Sequence, residues 1–162
     1  MRILGIDPAL ITTGYGLIEA RGSDDISLVE AGVIKTDPRD GISRRLADIY
    51  ENLSGVIDEY SPDVLVLEKI YSHYKHPMTA ILMGHARGVV CLLCGLRGVP
   101  LVNYPATRIK KSITGNGRAR KAQVQKMVKM RLNLGKLPEP VDISDALAMA
   151  LSYIEIESVF AK

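Results

Sequence analysis

The sequence predicts an α/β fold: a mixed five-stranded sheet flanked by helices, in a single domain spanning residues 1–162. Three observations carry this. The N-terminal third holds three strand-like runs joined by short turns, which is the order of consecutive antiparallel strands. Helical and strand-like patterns then alternate, as crossover connections to parallel strands require. The chain has 162 residues, 47% hydrophobic and 24% charged, a balance typical of an ordinary globular protein with room for a core.

Each element has its own signal. Residues 2–7 read as a buried strand, its apolar run Ile3-Leu4-Gly5-Ile6 closed by Asp7, and residues 13–20 (TGYGLIEA) alternate and return antiparallel to it. A third strand, 26–36, follows the polar turn Gly22-Ser23-Asp24-Asp25. Leu46, Ile49, Tyr50, Leu53, Val56 and Ile57 recur at spacings of three and four, predicting a helix over 43–60. Pro62 precedes a short buried strand, 63–68. The aromatic and basic loop KIYSHYKHP leads to a second helix, 77–96, in which Gly84 and Gly88 invite close helix packing. A fifth strand (99–105), a short helix (106–113), the loop Thr114-Gly115-Asn116-Gly117, a basic helix (119–134) and a last helix (142–158) complete the chain.

Several classes of function recede at this level. No uninterrupted apolar run reaches the roughly 18–20 residues that span a bilayer, and the N-terminus lacks a signal-peptide pattern, so the expectation is a soluble cytoplasmic protein without a membrane partner. Cys91 and Cys94 lie in an apolar helical stretch without two further ligands at zinc spacing, and read as core.

The net charge of +3 conceals a segregation. Residues 1–68 contain 13 acidic and 6 basic side chains; residues 69–138 contain 14 Lys and Arg and no acid. Seventy residues without a carboxylate imply a polyanionic partner, of which nucleic acid is the commonest.

Against this basic stretch stand four acids. Asp7 and Glu68 each close an apolar strand, and strand ends are where open α/β sheets carry ligand sites. Asp142 and Asp145 are three apart at the start of the last helix and share a face. Helix capping is the alternative for the last two, and a turn role for Asp7. A cluster of bare carboxylates repels itself, whereas a divalent cation such as Mg²⁺ selects hard oxygen ligands and reverses the penalty. Two such ions about 4 Å apart serve phosphodiester hydrolysis. Acids beside a wide basic surface therefore point to a metal-dependent nuclease.

The segments GIDPALITTGYG, VLVLEKIY, GHARGV, ATRIKKSITGNGRARKAQVQ and DISDALAMA resemble, in order and spacing, the RuvC family of Holliday-junction resolvases. The resemblance covers nearly the whole chain. It implies an RNase H-like fold, a homodimer, two Mg²⁺ ions per active site with Mn²⁺ as a substitute, paired nicking of four-way DNA junctions in homologous recombination and repair, and partnership with a branch-migration helicase complex. The family's acidic tetrad falls on Asp7, Glu68, Asp142 and Asp145, its phosphate-supporting lysine on Lys121 and another DNA-contacting lysine on Lys110. Lys111, Arg118 and Arg120 are expected on backbone phosphates. The base-stacking aromatic falls on Tyr71, and helix 77–96 resembles the dimer-forming helix. Ala9 departs from the family's usual glycine. The loop SHYKHPMTA is about one residue longer than usual, and its His73 and His76 are read as solvent- or DNA-facing.

Other classes fit less well. A sugar-kinase or Hsp70-like ATPase shares the opening hairpin but needs two lobes and no Asp-x-x-Asp on its last helix. A catalytically silent junction-binding module would lack at least one of the four acids. Another RNase H-like nuclease remains the nearest alternative, since its metal chemistry is the same.

Overall fold

The computed structural model describes residues 1–70 and 77–157. Five strands, β1 (Arg2–Asp7), β2 (Thr12–Ala20), β3 (Ile26–Lys35), β4 (Val64–Glu68) and β5 (Leu101–Tyr104), form one sheet in the order β3-β2-β1-β4-β5. The first three are antiparallel neighbours, while β4 and β5 join parallel to β1. The helices are α1 (Ile42–Tyr60), α2 (Pro77–Arg97), α3 (Ala106–Thr114), α4 (Lys121–Arg131) and α5 (Val141–Glu157).

Alternation along the strands sorts the core into two layers. Leu4 and Ile6 of β1 and Leu65 and Leu67 of β4 face one side, where Ile49, Leu53 and Ile57 of α1 and Ala86, Val90 and Leu93 of α2 cover them. Ile3 of β1 and Val64 and Val66 of β4 face the other side, packed by α3, α4 and α5. A period of two therefore assigns Asp7 and Glu68 to the α5 side. The register places Ile6 opposite Leu67, so the two acids follow side by side at one sheet edge.

Why α5 reaches that edge lies in the glycines. Gly5 pairs with Gly16, and Asp7 with Gly14, across β1 and β2. A Cβ on Gly5 would stand 2.0 Å from the Ala146 carbonyl oxygen, and one on Gly14 would stand 2.3 Å from that of Asp142. This bare strip lets the α5 backbone rest directly on the sheet and carries Asp142 and Asp145 down beside Asp7.

The β1–β2 turn is braced from within: Thr13 Oγ1 donates to the Ala9 carbonyl oxygen at 2.7 Å and accepts from the Ala9 N–H at 3.2 Å. Ala9 is absent from the positive-φ residues, which among the described non-glycine residues are Ser61 and Asn133. Alanine therefore fits this turn without strain.

Three expectations change. The basic helix is shorter than 119–134. Gln123 Oε1 accepts the Arg120 N–H at 2.8 Å, which starts α4 at Lys121, and Leu132 and the left-handed Asn133 end it. Cys94 is buried as core, but Cys91 is exposed, because the buried stripe of α2 runs through Ala86, Val90, Leu93 and Cys94 and leaves Cys91 at its margin. Residues Met78–Arg97 of α2 do reach membrane-spanning length, with mean hydropathy 1.6, yet the same helix buries Ala86, Val90 and Leu93 against the sheet.

Candidate active site

Asp7, Glu68 and Asp145 line a cleft of about 540 Å³ at the C-terminal edge of β1 and β4, together with Lys69, Arg87, Lys110 and Lys121. Asp142 is one turn earlier on α5 and outside the cleft lining, but its charge acts on Asp7. Three segments remote in sequence thus deliver acids to one place.

Capping does not account for the α5 pair. Among the described residues neither Asp142 nor Asp145 accepts a backbone N–H, and the Ile143 N–H goes to the Pro140 carbonyl oxygen. Asp145 instead accepts a hydrogen bond from Lys121 Nζ at 2.8 Å. Lys121 is the first residue of α4, a position where a cation opposes the helix dipole. The Asp145 carboxylate offsets that cost and aims the ammonium at the acids.

The electrostatics have a clear origin. Burial, then the charges of Asp145 and Asp142, push the Asp7 carboxyl up from 3.8 to about 6, partly opposed by Lys121. Glu68 is likewise raised, by burial and then by Asp145, with Lys110 and Lys121 opposing. The Lys121 ammonium is held above its ordinary range, chiefly by the hydrogen bond to Asp145. Acids that resist ionisation next to one another form a site short of positive charge.

This is the test of a divalent cation. Among the described residues no three carboxylate, thiol or imidazole groups are gathered closely enough to cage an ion as they stand. The donor set nevertheless fits: hard carboxylate oxygens in a partly buried cleft, mutually repelling, with one ammonium already drawn in. A dication held there would supply the charge that this set lacks.

The basic residues divide. Lys110 and Lys121 reach the cleft. Lys111, Arg118 and Arg120 are exposed outside it, on α3 and the loop that joins it to α4. That loop is firmly built: the Gly115 N–H caps α3 on the Lys111 carbonyl oxygen at 2.8 Å, and Asn116 Oδ1 accepts the Arg118 N–H at 2.9 Å. Tyr71, His73, Tyr74, Lys75 and His76 lie outside the described residues.

One cleft residue escaped the reading of the sequence. Arg87 of α2 donates from Nη1 to the Glu68 carbonyl oxygen at 2.7 Å and from Nη2 to Asn103 Oδ1. Its signals were its place in the segment GHARGV and a charge in the middle of a largely apolar helix.

The chain has relatives among known proteins. The family model described as crossover junction endodeoxyribonuclease RuvC matches residues 3–153. The crossover junction endodeoxyribonuclease RuvC of Rhodopirellula baltica is 52% identical over 92% of this chain and 83% of its own length. That of Thermosipho melanesiensis is 45% identical over 93% and 94%. Among solved structures, T. thermophilus RuvC in complex with a Holliday junction substrate superposes with a TM-score of 0.93 at 28% identity, covering 99% of this chain and 96% of that one. The yeast mitochondrial resolvase Ydc2, at 13% identity and TM-score 0.66 over 96% and 78%, shares the fold. With the family model and these relatives covering nearly the whole chain, this chain belongs to the RuvC family of crossover junction endodeoxyribonucleases, built on the RNase H-like fold.

Proposed function

We propose that this chain is a cytoplasmic endonuclease that resolves four-way DNA junctions during homologous recombination and repair. It works as one RNase H-like domain per subunit of a homodimer, nicking two opposed strands. The observation that carries the reading is the cleft that unites Asp7, Glu68 and Asp145 with Lys110 and Lys121.

The family is divalent-metal dependent; we assign two Mg²⁺ ions per site, with Mn²⁺ able to substitute. Asp7, Glu68, Asp142 and Asp145 would hold them. Bound divalent cations supply an activated water and charge stabilisation for the attacking and departing oxygens of the phosphodiester. The chain does the rest. The Lys121 ammonium, oriented by Asp145, supports the negative charge that develops on the phosphate. Lys110 neutralises the phosphate as it enters the cleft. Lys111, Arg118 and Arg120 grip the backbone further out, and Tyr71 stacks on an unpaired base at the crossover.

The dimer reading is supported by α2. Met78, Ile81, Leu82, Met83, Leu92 and Leu96 are exposed. Among the described residues, no other element lies within 4 Å of a Cβ built on Gly84 or Gly88, which leaves room there for a partner helix. A two-fold axis through this helix places two clefts on one junction. Following the family resemblance, we assign a branch-migration helicase complex as the further partner.

The deciding experiment is cleavage of an end-labelled mobile four-way junction in Mg²⁺, beside a linear duplex and an RNA–DNA hybrid. Paired nicks on opposed strands of the junction alone are expected. Cutting of the hybrid instead would move the protein to another RNase H-like activity. Binding without cutting would leave a junction-binding module.

A further inference from the structure

Arg87 is a cation whose bonding is spent on neutral partners. It lies in the middle of α2, beside Ala86 and Val90, which enter the core. Its guanidinium forks between the Glu68 carbonyl oxygen, at 2.7 Å, and Asn103 Oδ1. Among the described residues it makes no ion pair, although it lines the same cleft as three acids.

The two bonds close the open end of a strand pair. Asn103 of β5 stands opposite Leu67 of β4, and the Lys69 N–H donates to the Tyr104 carbonyl oxygen at 2.8 Å. The chain leaves the sheet immediately after Glu68, and the Glu68 carbonyl is the first peptide group at that exit. Fixing this carbonyl fixes the peptide plane on which the Glu68 Cα turns, and hence the direction in which its carboxylate leaves the backbone. A planar guanidinium can hold two acceptors in one geometry, whereas an ammonium cannot reproduce the fork.

We propose that Arg87 is a positioning residue for the nuclease reaction: clamped to Asn103, it sets the entry angle of the Glu68 carboxylate without touching DNA. This rests on the reading of Glu68 as a metal-holding acid.

The test uses the full chain and the variants Arg87→Ala, Arg87→Lys and Asn103→Ala, with Glu68→Gln alongside. Three quantities are measured: single-turnover cleavage of the junction, junction affinity by fluorescence anisotropy in EDTA, and Mn²⁺ occupancy without DNA by paramagnetic resonance. Arg87→Ala is expected to slow cleavage at least tenfold and raise the Mn²⁺ concentration for half-occupancy several-fold, with junction affinity within twofold of wild type. Asn103→Ala and Arg87→Lys should move both quantities in the same direction by less.

An affinity loss that matches the cleavage loss, with Mn²⁺ occupancy unchanged, would make Arg87 a DNA contact and overturn the proposal. Wild-type cleavage in Arg87→Ala would overturn it equally. Should circular dichroism find Arg87→Ala unfolded, the other two variants decide, and wild-type cleavage and occupancy in both would refute the clamp. If Glu68→Gln itself cuts and binds Mn²⁺ normally, the assignment of Glu68 fails. If it loses both while the Arg87 variants keep them, only the clamp fails.

Discussion

Asp7→Asn tests whether the site stores repulsion that a cation must relieve. In metal-free protein the Asp7 carboxyl is lifted from 3.8 to about 6, by burial first and then by Asp145, Asp142 and Glu68. The folded chain therefore keeps this proton up to about pH 6, while the unfolded chain releases it near pH 4. Between those limits the folded state binds more protons, so stability falls as pH rises, and the whole loss is present above pH 6. At about 1.4 kcal/mol per pH unit, the rise from 3.8 to about 6 makes the loss about 3 kcal/mol. That is a large fraction of the roughly 5–15 kcal/mol that holds a domain together.

Asparagine has no proton to release. In EDTA at pH 8 the variant should be up to about 3 kcal/mol more stable than wild type, with the gap closing toward pH 4. With no tryptophan in the chain, urea unfolding followed by far-ultraviolet circular dichroism is the assay. Millimolar Mg²⁺ should then stabilise wild type more than the variant and narrow the gap, because ligand binding to the folded state adds to stability. A gap independent of pH, or a variant less stable than wild type at pH 8 in EDTA, would refute the reasoning. The same substitution should abolish junction cutting and leave junction binding intact.

Four further outcomes are expected. Gly5→Ala drives a methyl toward the Ala146 carbonyl oxygen at 2.0 Å; it should cost about 1–3 kcal/mol in urea unfolding and slow cleavage more than it weakens binding, because α5 carries two of the acids. Lys121→Ala should reduce the single-turnover rate by roughly 10²-fold while anisotropy detects only a modest change in affinity. Single alanine substitutions at Lys111, Arg118 and Arg120 should each lower the salt slope of junction binding by about one and leave the cleavage positions unchanged. Leu96→Glu on the exposed side of α2 should yield a monomer by analytical ultracentrifugation and replace paired nicks by slow single ones.

The parts that the sequence made legible share a property: each was announced by a violation of local economy. Asp7 and Glu68 each follow an apolar run, Ile3–Ile6 and Val64–Leu67, and a carboxylate there is costly without a purpose. Strand parity and the parallel pairing of β1 with β4 then place the two acids on one edge. Asp142 and Asp145 were ambiguous, since a first turn favours acids for dipole reasons alone; the Lys121 contact ties Asp145 to the cleft, while Asp142 keeps its place in the first turn of α5. What stayed illegible depends on which residue touches which. Gly5 and Gly14 read as strand glycines of no stated purpose, and only the approach of α5 shows that they are its seat. Cys91 and Cys94 look alike along the chain, but one is exposed at the margin of the buried stripe of α2 and the other is in the core.

Arg87 makes the same point from the other direction. A charge inside an apolar helix signals an exceptional partner, but the partners are a backbone carbonyl on β4 and an amide side chain on β5, neither marked in the sequence. Carboxylates can be found by what they cost. The groups that aim them bond to the main chain, which every residue has, and are therefore found only when the chain is folded. In this cleft the residues proposed to perform chemistry are readable one at a time, whereas those proposed to set its geometry are readable only as pairs.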